Sequence, residues 1–158
     1  MFQVGDYVVY KRDVCKIKEL KKVYDKFYYV LVPIDDESLT INVPKDQNNI
    51  QMRNIISKEE SEKLISSIPS INTIKFNDKL LETEYKNLIN SGKLEDLVKI
   101  IKTTYLRNAD RLANHKKIGE KDDTYFKKAE KLLYNELSIS LGIPYCNIQE
   151  YIKDKIEL

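Results

Sequence analysis

Chemistry in this chain would have to start from very few residues. His115 is the one histidine among 158 residues. It lies in the polar run Asn114-His115-Lys116-Lys117, which predicts a solvent-exposed ring with no nucleophile to activate. Cys15 and Cys146 are far apart, belong to no C-x-x-C pair and stand away from the histidine. They read as two free thiols packed like small apolar side chains, and they leave a metal site without ligands. The acidic cluster Asp35-Asp36-Glu37 would attract a cation, but it lacks the spaced ligands and the glycine of a calcium loop, so a turn is expected there. Gly5, Gly92, Gly119 and Gly142 are scattered and build no phosphate loop. The expectation is a protein that is not an enzyme and carries no cofactor.

Charge is more abundant than catalytic chemistry. Charged residues make up 33% of the chain, yet the net charge is only +2, which argues against strong global attraction to nucleic acid. Any contact with phosphates must come from a local patch. Between Lys99 and Lys131, the cations Lys99, Lys102, Arg107, Arg111, Lys116, Lys117, Lys121, Lys127, Lys128 and Lys131 face only five acidic residues. Pooled on one face, they would hold a nucleic-acid backbone without reading bases. The alternative is a solvated helix surface laced with ion pairs. No apolar run approaches the roughly 20 residues that span a bilayer. Nor does the start of the chain show a basic segment followed by an apolar one. The expected location is therefore cytoplasmic, with no membrane contact.

The elements that would position these residues fall into two groups. Up to Ile56 the pattern is β: Phe2 to Tyr10 around a Gly5-Asp6 turn signal, then a second short run with Val14, Ile17 and Leu20. The aromatic and β-branched run Phe27 to Val32 follows, then Leu39 to Val43 stopped by Pro44, and a last strand from Gln51 to Ile56. Short strands joined by polar turns predict a small SH3-like barrel over residues 1–56. From Ser57 the period becomes helical, opened by the capping box Ser57-Lys58-Glu59-Glu60. A short helix runs to Pro69, and residues 69 to 77 have loop chemistry. Apolar stripes then mark helices around Leu80 to Ile89, Leu94 to Leu112, Tyr125 to Leu141 and, after Pro144, Ile148 to Ile152. The fold class is α+β: a β-barrel followed by an all-α bundle of about five helices over residues 57–158.

Several segments resemble one family in order. Phe2-x-Val4-Gly5-Asp6-x-Val8-Val9-Tyr10 resembles the opening of the CarD/CdnL family of bacterial transcription regulators, which is shared with the polymerase-interacting domain of transcription-repair coupling factors. Tyr28-Tyr29-Val30-Leu31, Leu39 to Pro44, Met52 to Ser57, Asn90-Ser91-Gly92 and Ala129 to Gly142 resemble further pieces of it. The resemblance implies a Tudor-like domain that pairs with the RNA polymerase β subunit, and a helical domain that touches promoter DNA at the upstream edge of the bubble. The implied polymerase-binding residues are Ile41, Asn42, Val43 and Pro44 on a sheet edge. Lys21 and Lys22, in a turn, would supply the charge that Asn42, at a position often basic in the family, does not. Ile41 and Val43 can equally fill the barrel core.

Two departures bear on function. After Tyr10, where the family commonly has Pro and a His-Gly turn, the chain reads Lys11-Arg12-Asp13, so this turn takes its own shape. The family's helical domain often presents a tryptophan that wedges against DNA, and this chain has none; the equivalent position falls near Asp78, followed by Lys79. Phe76 is the nearest aromatic, readable as a wedge or as a core anchor for its loop. The leading expectation is an adaptor that links polymerase to promoter DNA, contacting the backbone without sequence specificity and modulating the open complex. The alternatives are an interaction module that binds polymerase or another partner without DNA, and an unrelated barrel with a helical bundle. A monomer or a weak homodimer is expected.

Overall fold

Aromatic and β-branched residues set the strands of the first third, and alternation decides which of their side chains are buried. The computed structural model describes residues 2–46, 51–75 and 79–156. Its strands are β1 (Tyr7–Tyr10), β2 (Asp13–Val23), β3 (Lys26–Pro33), β4 (Ile41–Pro44) and β5 (Met52–Asn54). They form an antiparallel sheet in the order β4-β3-β2-β1-β5. On one face Val8, Cys15, Ile17, Tyr29, Leu31 and Val43 make a small core, with Phe2 packed edge-on against Tyr29.

This region departs from the sequence reading in three ways. The second run is one strand of 11 residues, with an irregularity between Ile17 and Glu19, beyond which Lys18 to Val23 are all exposed. Lys21 and Lys22 therefore lie within β2, opposite Tyr28 and Phe27, and not in a turn. The sheet is also open among the described residues: β4 and β5 are its two edges and do not pair with each other. With only four and three residues, these edges offer few ladder bonds with which to close a barrel. The turn after Tyr10 is tight, with Lys11 at φ +57°. The β2–β3 turn places both Tyr24 and Asp25 at positive φ, as a two-residue hairpin connection requires.

The helical half comprises α1 (Lys58–Ser67), a 3-10 turn (Ile68–Ser70), α2 (Leu81–Asn90), α3 (Leu94–Ala113), α4 (Glu120–Leu141) and α5 (Tyr145–Ile156). Both halves of the capping box are made: Glu60 N–H donates to Ser57 Oγ at 3.1 Å, and Ser57 N–H to Glu60 Oε1 at 3.2 Å. Gly142 ends α4 at φ +68°, a left-handed conformation in which a side chain would be strained. Ile65, Tyr85, Ile100, Leu137 and Ile148 form the centre of the core. The chain divides into two compact units, residues 1–55 and 56–158. At the start of the second, the Ile56 N–H donates to the buried carboxylate of Glu136 at 3.0 Å. No described helix is long and apolar enough to cross a membrane.

The cysteines differ from the expectation of two packed thiols: Cys15 is buried, whereas Cys146 is exposed at the start of α5. Burial, reinforced by the Asp13 carboxylate, pushes the Cys15 thiol up to about 12, so almost no nucleophilic thiolate exists at neutral pH. A thiol reagent at pH 8 is expected to modify one cysteine per native chain within minutes, and the second only on unfolding. Peptide mapping should find the fast label on Cys146; a fast label on Cys15 would contradict its burial.

Candidate functional site

The first candidate is the free edge of β4. Its register against β3 pairs Ile41 with Leu31, Asn42 with Val30, Val43 with Tyr29 and Pro44 with Tyr28. Lys45 N–H donates to Phe27 O at 2.9 Å, continuing the same register. Hydrogen-bonded and non-hydrogen-bonded pairs alternate along an antiparallel ladder, so 45/27, 43/29 and 41/31 are the bonded ones. Asn42 and Pro44 fall between them. The Asn42 N–H and C=O and the Pro44 C=O consequently point away from β3, along an edge that no strand covers among the described residues. The side chains divide differently. Val43 is buried and Ile41 half-buried against the sheet core, while Asn42 is exposed. The side chains of Ile41 and Val43 thus support the sheet, and backbone groups with the Asn42 amide form the presented surface.

Next to this edge is a cluster of cations and aromatic rings. Phe27, 41% exposed, has Lys22 Nζ at 5.7 Å and Lys45 Nζ at 5.9 Å from its ring centre. Lys22 also approaches Asp25 at 3.9 Å in an exposed pair of little energetic weight. Lys21 is exposed on β2.

The second candidate is the cation-rich stretch from Lys99 to Lys131, which the structure separates into groups. Lys99 and Lys102 lie on the N-terminal half of α3, about 18 and 14 Å of helix rise from Arg111 at about 1.5 Å per residue. Lys99 pairs with Asp96 at 3.5 Å. Lys102 turns inward and donates to the carbonyls of Ile68 and Ile71 at 2.8 and 2.5 Å, tying α3 to the 3-10 turn. Arg107 is absorbed as well: its Nε lies 3.1 Å from Asp122 Oδ2, and Asp122 is only 3% exposed. Tyr85 donates its hydroxyl to Asp122 Oδ1 at 2.7 Å, and burial followed by this bond drives its phenol far above the usual range. One carboxylate thus joins α2, α3 and the first turn of α4.

The remaining cations surround the α3–α4 connection and the outer side of α4. Arg111 Nε donates to Lys117 O at 3.0 Å. Lys121 pairs with Glu82 at 3.4 Å, which, with Lys86 beside it, holds the Glu82 carboxyl below its ordinary value. Lys127 pairs with Asp123 at 3.0 Å, and Lys128 lies 5.3 Å from the Tyr125 ring centre. Lys116 and Lys117 are exposed and make no ion pair among the described residues. His115 is exposed beside them at φ +58°. Lys79 is exposed just before α2, and Phe76 lies outside the described residues.

Sequence reasoning overlooked two features. The Asp122 network was hidden because a carboxylate three residues after a helix start looks like ordinary dipole compensation; the one available signal was its position at N3, behind Gly119. The other is a pair of exposed aliphatic side chains, Leu112 and Ile118, on either side of the basic connection. In sequence Leu112 reads as part of the apolar stripe of its helix.

In comparison with known families, residues 2–56 match the family described as CarD-like/TRCF RID domain. No curated protein matches the chain.

Proposed function

From the premise that residues 2–56 are a CarD-like/TRCF RID domain, we propose that this chain is a transcription adaptor. Its N-terminal unit docks on the RNA polymerase β subunit, and its helical unit contacts promoter DNA. The observation that carries the reading is the outward-facing backbone at Asn42 and Pro44 within the matched segment. An exposed edge of this kind extends a partner's sheet, with main-chain bonds supplying affinity and neighbouring side chains supplying selectivity. Lys21, Lys22 and Lys45 next to it would complement an acidic partner surface. In this reading the sheet takes its Tudor-like form, and the chain acts without catalysis or cofactor.

Tethering through the N-terminal unit raises the local concentration of DNA around the helical one. A weak, backbone-directed DNA face is then sufficient to shift open-complex stability. Lys116 and Lys117, with Arg111, Lys121, Lys127 and Lys128 around them, are the residues for that face. A second reading, an interaction module without DNA contact, is favoured by the internal engagement of Lys102 and Arg107. Salt-dependent protection of promoter DNA in the polymerase complex supports the adaptor; salt-independent association with polymerase and no DNA protection supports the module.

The direct test is titration of the full chain onto the isolated β-subunit lobes of RNA polymerase, with an Asn42→Pro variant alongside. Proline removes the outward N–H together with the Asn42 side-chain amide, both on the presented edge, and leaves the β3–β4 bonds at residues 41, 43 and 45 in place. Micromolar binding by the native chain and a loss of about tenfold or more in the variant, at unchanged melting temperature, are expected. No binding by the folded native chain would overturn the polymerase assignment. Equal binding by the variant would move the contact away from β4.

A further inference from the structure

Independently of the polymerase and DNA readings, the helical unit carries a groove between α3, α4 and α5. We infer that it binds a small organic ammonium ion, with the apolar chain in the groove and the cation on Glu130. Ile68 of the 3-10 turn, Ile101 and Tyr105 of α3, Phe126 and Glu130 of α4 and Ile152 of α5 line one hollow of about 270 Å³. Its surface is mostly apolar, although a carboxylate stands in its wall. At about 30 Å³ per water-sized group, the hollow takes roughly nine non-hydrogen atoms. That is one short alkyl or aryl chain, just below the range of ordinary small-molecule sites.

The charge in the wall selects the ligand class. Burial pushes the Glu130 carboxyl above its ordinary value. Among the described residues no cation lies within ion-pairing distance of it. Lys127, about one turn earlier on α4, is paired with Asp123 at 3.0 Å. Lys102 also lines the hollow, but its ammonium is engaged by the carbonyls of Ile68 and Ile71. A carboxylate held in an apolar wall is costly without a partner. A bound ammonium offsets that cost, whereas a neutral or anionic group does not. Tyr105 and Phe126 bring aromatic rings to the same lining, and ring faces favour cations over anions. The cation left for an anionic ligand is Lys153, exposed in the last turn of α5.

The test follows backbone amide NMR shifts of the full chain during titration with three probes of equal chain length: octylammonium, octanol and octanoate. Octylammonium is expected to bind with a Kd of about 1 mM or below, shifting amides of α3, α4 and α5 around the groove. It should bind about fivefold more tightly than octanol and about tenfold more tightly than octanoate. Glu130→Gln keeps the shape of the wall and removes its charge. It should bring octylammonium down to the affinity of octanol and leave octanol unchanged. Tyr105 is 65% exposed, so Tyr105→Ala leaves the core intact; it should weaken octylammonium and octanol alike by about threefold. Melting curves check that both variants fold. Octanol bound as tightly as octylammonium overturns the proposal in favour of an apolar occupant, such as one face of a partner's helix. Preference for octanoate overturns it in favour of a site built on Lys153. An octylammonium affinity unchanged by either variant, shifts confined to the N-terminal sheet, or no binding of any probe by the folded native chain overturns the site itself. None of these outcomes depends on whether the chain binds polymerase or DNA.

Discussion

Replacing Asp122 by alanine is expected to lower the stability of the helical unit by about 3 kcal/mol, measured by urea unfolding at unchanged m-value. The carboxylate is nearly inaccessible, accepts the Tyr85 hydroxyl and pairs with Arg107. Its removal takes an acceptor from the buried Tyr85 phenol and the facing carboxylate from a largely buried Arg107 guanidinium. The Arg107 side chain is 32% exposed, so solvent recovers part of the loss, and the lower end of the range for breaking a buried pair applies. Tyr85→Phe removes the bond to Asp122 and should cost about 1 kcal/mol. In a double-mutant cycle the two changes should be less than additive, because they share one interaction. A loss below about 1 kcal/mol for Asp122→Ala would contradict the role given to this network. The consequence for function is geometric: Asp122 lies next to Gly119, so the network also holds the base of the α3–α4 corner.

The second large effect concerns the sheet. From sequence Val43 is readable as a partner-binding residue or as core, and in the structure it is only 2% exposed and packs with Tyr29 and Leu31. A carboxylate there is expected to destabilise the N-terminal unit by about 4 kcal/mol. At roughly 0.05–0.15 kcal/mol per residue, a unit of this size has only about 3–8 kcal/mol in total. Hydrogen exchange in the full-length variant should show β1 to β4 losing protection while the central turns of α3 and α4 keep theirs. Native-like protection of β3 in the variant would mean that the Val43 side chain does not support the core. The contrast with Asn42→Pro separates loss of binding through unfolding from loss of binding through the edge itself. Adjacent residues on one strand thus give opposite experiments, because their side chains point to opposite faces.

Much of the architecture was legible because it rests on local rules. The change of period at Ser57, its capping box, the stop at Gly142 and the order of strands and helices follow from short-range sterics and hydrogen bonding. In the second run the scattered apolar positions Val14, Ile17 and Leu20 predict only a short strand. The structure continues β2 to Val23, because pairing with β3 supplies the ladder bonds whether or not the side chains are buried.

Long-range geometry decided what composition had no means of expressing. Ten cations between Lys99 and Lys131 look equivalent in sequence, but their roles depend on which carbonyl or carboxylate the fold brings within reach. Lys102 meets the carbonyls of Ile68 and Ile71, and Arg107 meets Asp122, while Lys116 and Lys117 meet no anion among the described residues. The β4 edge is similar: its residues were identifiable, but the direction of each N–H follows from the register with β3. The sequence by itself determined where the strands and helices run and which residue types were available. Only the tertiary structure decided which of those groups are consumed in holding the fold and which face outward, because a side chain's partner is set by contacts between residues distant in the chain.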